Sequence, residues 1–216
     1  WSTAEPVAGP GEALWYEVVA TRHVPLAAMR AKLRGKFKAG LARFEVAPLT
    51  AADAAAAFAV ERQRCLEYAE RHDPPPDEAA FRRRFALDQG WPDVVRWWGV
   101  RQDGRLVGFA KCYAYGTFWI GLNTTRVLRD ALRQRALYAL MHVMSEHHLV
   151  ERGARYLSDG QRSLLHGAEF QELLQADFGF ARLPLRLHRA YRWPLVPALL
   201  AAVPAGLVRR VPKLAG

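Results

Sequence analysis

Three consecutive strand-like segments between residues 94 and 125 constrain the fold more than any other part of the sequence. The segments VVRWWGV, RLVGFAKCYAYG and TFWIGLNTT are rich in β-branched and aromatic residues, which favour strands. Asp103-Gly104 separates the first two and is a hairpin-turn dipeptide. Strands joined by such short turns form an antiparallel meander. Residues 128–149 follow with apolar side chains at helical spacing, which predicts a long helix.

The segments before the meander predict two strands and three helices. The run LWYEVVATR and residues 44–49 have strand composition. Between them, a basic helix is predicted to start at Pro25 and to carry its basic residues before Gly40, either with a solvated charged face or as an arm that binds anions. Thr50 with Asp53 resembles a capping box, which begins a helix to about His72. After prolines 74–76, Asp77 caps a third helix to about Asp88.

The stretch from Arg155 to Arg182 combines apolar flanks with a cluster of unusual polar residues. It predicts a strand that ends at Leu157, a turn at Asp159-Gly160, a polar loop and a helix over residues 168–177. Gly179 ends this helix, and residues 183–191 predict a last strand. The stretch places a carboxylate, a guanidinium, a hydroxyl and an imidazole within eight residues, which makes it a candidate site. These groups belong to Asp159, Arg162, Ser163 and His166.

Composition limits the partners and the compartment. The net charge of +10, from 31 basic and 21 acidic residues, indicates an anionic partner such as a phosphorylated cofactor, a nucleic acid or an acidic membrane surface. The two cysteines form no CxxC pair, so we expect buried thiols and no metal site. The first residues lack the pattern of a signal peptide, which favours a cytoplasmic location.

The tail, residues 194–216, contains four prolines and is apolar, with basic residues near its end. It is too short and too interrupted to span a bilayer as a clean helix. It could lie on the inner face of a membrane, pack on the domain, or contact a second copy in a homodimer.

The order of elements from strand 44–49 to the last strand resembles the GNAT superfamily of N-acetyltransferases. The resemblance rests on FEVAPLTAADAAAAF, GRLVGFAKCYAYG and DFGFARLPLRLHRAY, the last of which contains the phrase FGFAR. It implies an α+β, GNAT-like fold, with a central, mostly antiparallel twisted sheet flanked by helices. The implied domains are residues 1–43 as an N-terminal extension, residues 44–193 as a GNAT-like acyltransferase domain, and residues 194–216 as the tail.

A narrower resemblance covers more of the chain. RAKLRGKFKAGLARFEV is similar to the phrase that leads into the GNAT-type domain of FemAB-like aminoacyl and acyl transferases. YLSDGQRSLLHGAEFQELLQADFGFAR is similar to a phrase of uncharacterised bacterial proteins with a GNAT-like domain. The signature positions of that phrase are Asp159, Gly160, Arg162, Ser163, His166, Phe170 and Gln171.

The resemblance implies an acyl-CoA or aminoacyl-tRNA donor, but the glycine-rich loop that usually holds the CoA pyrophosphate is missing. No glycine lies between Gly121 and Gly153. Arg126, Arg129 and Arg133 are the candidates to supply positive charge in its place.

Acylation of an amine needs a group that removes a proton from the acceptor. His166 is the candidate base, with Asp159 to orient it or to bind a cationic substrate. The candidates for substrate binding are Arg162, Ser163, Gln171, Lys111 and Tyr113. Each also has a purely structural interpretation, such as shaping a turn or capping a helix.

Three functions remain open from the sequence. The first is transfer of an activated acyl or aminoacyl group to an amine, with a small molecule or an aminoacyl-tRNA as substrate. The second is a non-catalytic module on a degenerate GNAT scaffold that binds a ligand or a partner. Nucleic-acid binding, the third, rests only on the net charge.

Overall fold

The computed structural model describes residues 2–3, 16–67, 77–161 and 169–186, which form one eight-stranded sheet with helices on both faces. The strands are β1 (Ser2–Thr3), β2 (Tyr16–Ala20), β3 (Glu45–Pro48), β4 (Val95–Gln102), β5 (Arg105–Tyr115), β6 (Trp119–Val127), β7 (Tyr156–Gln161) and β8 (Ala181–Arg186). The helices are α1 (Ala31–Arg43), α2 (Ala54–Glu67), α3 (Glu78–Gln89), α4 (Arg129–Arg133), α5 (Ala136–Glu146) and α6 (Glu169–Asp177). The predicted α+β class is confirmed.

The order of strands across the sheet is β1-β8-β2-β7-β6-β5-β4-β3. Neighbours are antiparallel except for β6 and β7, which are parallel. The predicted meander is therefore β4, β5 and β6. Residues 16–43, which were predicted to belong to an N-terminal extension, supply a central strand and a helix, because β2 lies between β7 and β8 and α1 packs on α5.

The sheet has an apolar core on each face, as the two adjacent tryptophans of β4 illustrate. Side chains alternate along a strand, so Trp97 and Trp98 lie on opposite faces. Trp97 packs against Phe85 beside α2 and α3. Trp98 belongs to the larger core with α1 and α5, and its indole N–H donates to Nε2 of His148 at 3.2 Å. Both faces are thus covered, and the meander is held as a rigid platform.

The prediction of one continuous helix over residues 128–149 is wrong. Arg135 has a φ of 77°, in the left-handed region, and separates α4 from α5, while residues 147–151 form a π-helical turn. Helix α1 approaches closely at this break: a Cβ at Gly40 would lie 2.6 Å from the Arg135 carbonyl oxygen. No proline or glycine marks the break, so the apolar spacing alone did not reveal it.

The prediction that Asp159-Gly160 forms a turn after the strand is also wrong. β7 continues through both residues to Gln161, and Gly160 has a φ of 80°. Val19 pairs with Ser158 and Glu17 with Gln161, so β7 contains one extra residue between these pairs. This is a β-bulge, and glycine meets its positive φ without strain.

The helix caps predicted at Thr50, Asp77 and Gly179 are confirmed. The Asp53 carboxylate accepts the Thr50 N–H at 2.8 Å, and the Asp77 carboxylate accepts the Ala80 N–H at 2.7 Å. Gly179 follows α6 with a φ of 74°. The last strand begins at Ala181, two residues earlier than predicted.

Three further predictions concern the cysteines, a membrane-spanning helix and the C-terminal tail. Cys112 is buried as expected, whereas Cys65 is only half-buried. Among the described residues, no helix is both long enough and apolar enough to cross a bilayer. The tail over residues 194–216, with its predicted membrane or dimer contact, lies outside the described residues.

Candidate functional site

The parallel strands β6 and β7 separate near the middle of the sheet. They pair only from Trp119 with Tyr156 to Gly121 with Ser158, although both strands continue beyond this point. The bulge in β7 begins where the pairing ends. Two cavities are lined by the residues of the two strands at and beyond the separation.

The first, which we call the aromatic cavity, has a volume of about 840 Å³. Its aromatic lining comes from Tyr113, Tyr115, Phe118 and Trp119, and its carboxyl groups from Glu17 and Asp159. Aromatic faces and carboxylates both attract cations. The composition of this cavity therefore suits a protonatable amine.

The second, the helix-side cavity, has a volume of about 680 Å³ and lies among β6, α5 and α6. Arg64 and Arg126 line it together with Thr124, Thr125 and Phe170. It shares Leu122, Asn123 and Asp159 with the aromatic cavity. Asp159 thus stands where two ligands in the two cavities would meet.

The bulge sets the position of Asp159, and its surroundings set its protonation. Burial raises the pKa of Asp159 to about 7, although hydrogen bonding from Gln171 acts in the opposite direction. The Gln171 amide also donates to the Gln161 carbonyl oxygen at 3.1 Å, which ties α6 to the end of β7. A carboxyl group with a pKa near 7 can accept and return a proton at neutral pH.

Glu17 brings a second carboxyl group to the aromatic cavity from β2. The hydroxyl of Ser158 donates to this carboxylate and accepts the Gly160 N–H at 2.9 Å. Burial raises the pKa of Glu17, while the hydrogen bond from Ser158 partly offsets the shift. Ser158 thereby links Glu17 to the bulge that carries Asp159.

Of the two meander residues predicted to bind substrate, the structure brings only Tyr113 to a cavity. Its hydroxyl accepts from Arg84 at 3.0 Å. Burial acts to raise the pKa of Tyr113, but hydrogen bonds from Lys111 and Arg84 outweigh it, so the pKa is lowered. Lys111 is buried in an ion pair with Asp88 at 3.1 Å and lines neither cavity. Its contacts with Asp88 and Tyr113 therefore hold the Tyr113 region in place, and its role in substrate binding stays a prediction.

The arginines proposed to hold phosphates already have partners in this chain. Arg126 lines the helix-side cavity and pairs with Glu61 at 3.0 Å, and Arg133 pairs with Asp130 at 3.3 Å. The Glu67 carboxylate accepts the backbone N–H of Arg129 at 2.9 Å, and the Arg129 side chain donates to the Glu67 carbonyl oxygen at 2.7 Å. The resemblance to GNAT enzymes places the pyrophosphate of CoA at the start of α4. In this chain the Glu67 carboxylate lies there.

The remaining predicted residues, Arg162, Ser163 and His166, lie outside the described residues. Their roles stay predictions. Gln171, predicted to bind substrate, is buried on α6, and its Oε1 has no hydrogen-bond partner among the described residues.

Sequence reasoning missed Glu17, Ser158 and Asn123. Glu17 lies in a segment that was interpreted as an extension, and only the pairing of β2 with β7 brings it to the site. Ser158 directly precedes the Asp159-Gly160 dipeptide, which was interpreted as a turn, so this dipeptide was the available signal for it.

Comparisons with known proteins identify the fold. No protein-family model and no curated protein matches the chain. The structure of FemX is similar with a TM-score of 0.58 at 7% identity, over 78% of this chain and 59% of FemX. A structure of AAC(6')-Iy in complex with the bisubstrate analogue CoA-S-monomethyl-acetylneamine gives a TM-score of 0.52 at 15% identity, over 69% and 99% of the two chains. An acetyltransferase from Thermus thermophilus gives 0.50 at 17% identity, over 63% and 86%. The chain therefore has the GNAT fold that its sequence predicts.

Proposed function

We propose that this chain is an N-acyltransferase that transfers an acyl or aminoacyl group to an amine. The observation that carries the proposal is the meeting of two cavities at Asp159. The AAC(6')-Iy structure of the same fold holds an analogue that joins CoA to an acetylneamine, a pairing that two adjoining cavities suit. The aromatic cavity receives the amine, and the helix-side cavity receives the activated end of the donor.

Asp159 acts as the general base in this proposal. The amine nitrogen attacks the carbonyl carbon of the donor and forms the new C–N bond, while its proton passes to the Asp159 carboxylate. The C–S or C–O bond of the donor then breaks, and the leaving group takes up the proton that Asp159 holds, which restores the carboxylate. Glu17 and the aromatic side chains hold the acceptor as an ammonium ion, which releases one proton to solvent before the neutral amine attacks.

The donor is an acyl-CoA or an aminoacyl-tRNA, both of which are anionic and match the net charge of +10. Because Glu67 occupies the start of α4, the phosphates of the donor contact basic side chains such as Arg126 instead of bare backbone amides. His166, Arg162 and Ser163 are proposed to complete the site on the loop between β7 and α6.

The test measures transfer from a panel of acyl-CoAs and charged tRNA to primary amines, with Asp159→Asn as the variant. We expect turnover to fall by about 10²–10⁴-fold, because a positioned base contributes that much. We also expect the wild-type rate to rise with pH through an apparent pKa of about 7. Asp93→Asn is the matched control, since that side chain is 91% exposed and lines neither cavity.

Wild-type turnover in Asp159→Asn, or a rate with no dependence on pH near 7, would contradict the assignment of the base. The second candidate function is a binding module without turnover, and the Glu67 carboxylate at the start of α4 favours it. Calorimetry together with the transfer assay separates the two: a binding module gives heat with a donor or an amine but forms no acylated product with any member of the panel.

A further inference from the structure

A cluster of two histidines and a glutamate lies outside both cavities. His23 follows β2, whereas His142 and Glu146 are one turn apart on α5. One ligand atom from each of the three lies within 4.8 Å of the other two, and the imidazole rings of His23 and His142 have centroids 4.7 Å apart. Sequence reasoning did not find this cluster, because His23 is far from α5 along the chain.

A hydroxyl group fixes the tautomer of His23. The Ser145 hydroxyl donates to the His142 carbonyl oxygen at 2.9 Å, and its oxygen lies 2.9 Å from Nδ1 of His23. A hydroxyl has one proton, so both contacts are satisfied together only when Nδ1 of His23 donates. Nε2 of His23 then carries the free lone pair that a metal requires.

The ring of His142 is buried, with 8% of its surface exposed, and its Nδ1 has no hydrogen-bond partner among the described residues. A buried nitrogen without a hydrogen-bond partner destabilises the fold. Such atoms in folded proteins therefore generally bind a ligand or a water molecule.

We propose that His23, His142 and Glu146 bind one Zn²⁺ ion. Two imidazoles and a carboxylate are a common zinc ligand set with an open fourth position. Zinc bonds of about 2.1 Å in tetrahedral geometry hold ligand atoms about 3.4 Å apart. Rotation of the exposed Glu146 side chain and the half-buried His23 ring closes the remaining distance. Ser145 acts as the outer partner that orients His23.

The ion links the segment after β2 to α5. β2 carries Glu17 of the aromatic cavity, and His23 lies three residues beyond the end of this strand. An ion that binds the folded chain and not the unfolded chain would stabilise the fold against unfolding. The site therefore fastens β2 to α5 without taking part in the proposed transfer.

The experiment titrates ZnCl₂ into the tag-free, chelator-treated full chain by calorimetry and follows the melting temperature. We expect one ion per chain and a higher melting temperature with Zn²⁺. His23→Gln and Glu146→Gln should each abolish this binding, and Ser145→Ala should weaken it about 10-fold. The first two variants change side chains that are not fully buried, so they should leave the fold intact.

His147→Gln is the matched control, because His147 and Glu151 have the same spacing on the chain and already pair at 2.6 Å. It should bind Zn²⁺ like the wild type. No binding by the wild-type chain, or equal binding by His23→Gln and Glu146→Gln, would overturn the proposal.

Discussion

At the scale of single residues, burial and a strand bulge act on the same carboxyl group. The bulge at Gly160 directs Asp159 to the junction of the two cavities, and burial raises its pKa to about 7. The same desolvation that fits the group for proton transfer makes its charged form unfavourable. The proposed function of Asp159 and the stability of the fold are therefore opposed at this position.

Asp159→Asn should consequently stabilise the fold above pH 7. Between about pH 4 and pH 7 the folded chain holds more protons at this site than the unfolded chain, so the stability from this group is full below pH 4 and is lost as the pH rises through 7. A shift of this size corresponds to about 4 kcal/mol when fully realised, and solvent around a partly exposed group reduces it to about 2 kcal/mol. Urea unfolding of Asp159→Asn and of the wild type at pH 5 and pH 8 measures the difference in the free energy of unfolding.

We expect the variant to exceed the wild type by the larger margin at pH 8 and by a smaller margin at pH 5, because at pH 5 only part of the stability from this group has been lost. Asp93→Asn should show little difference at either pH, because its side chain is exposed. Equal stabilities of Asp159→Asn and the wild type at pH 8 would mean that the pKa of Asp159 is not raised.

At the scale of elements, α1 is held in position by its packing against α5 and its ion pair with α6, which its pattern of basic residues does not reveal. Phe37 packs edge-on to Tyr138 of α5, and Lys36 pairs with Asp177 at 2.6 Å. The basic residues that suggested an anion-binding arm thus include one that joins α1 to the end of α6. The helix also contains two glycines in very different surroundings.

Gly35→Ala and Gly40→Ala should change stability in opposite directions. A Cβ at Gly35 meets nothing within 4 Å, so alanine should stabilise the chain by about 0.5–1 kcal/mol through its higher helix propensity. A Cβ at Gly40 would lie 2.6 Å from the Arg135 carbonyl oxygen, so alanine should destabilise it by about 1–3 kcal/mol through overpacking. Thermal unfolding of the two variants compares them, and a stabilising Gly40→Ala would show that α1 does not pack against the break between α4 and α5.

At the scale of the whole molecule, the sheet joins the first strands of the chain to the last. β2 pairs with both β7 and β8, so the N-terminal residues share one core with the meander. Val18 on β2 is fully buried in that core. The chain should therefore unfold as one cooperative unit and not as an extension followed by a domain.

Val18→Ala should lower the stability of the entire chain by about 2 kcal/mol, because it removes buried methyl groups and leaves a cavity. Tryptophan fluorescence, to which Trp97, Trp98 and Trp119 of the meander contribute, and far-UV circular dichroism should show the same lowered midpoint. Val150→Ala, at a side chain that is 60% exposed, should stay within about 0.5 kcal/mol of the wild type. An unchanged fluorescence midpoint in Val18→Ala would show that β2 is not coupled to the meander.

The sequence alone determined the succession of elements, because strand composition, caps and apolar spacing are local properties. It placed the meander, the caps at Thr50 and Asp77, and the polar stretch around Asp159. Its resemblance to the GNAT superfamily also predicted the fold, which the solved structures confirm. These features depend on neighbours a few residues apart, which a sequence displays directly.

Only the tertiary structure decided how distant segments meet. The insertion of β2 brings Glu17 beside Asp159, the approach of Gly40 accompanies the left-handed Arg135, and Glu67 caps the start of α4. Strand pairing and helix packing join residues more than 60 positions apart, and no local pattern encodes such contacts. The protonation of Asp159 likewise depends on its burial in the folded chain, so the sequence could indicate the residue but not its chemistry.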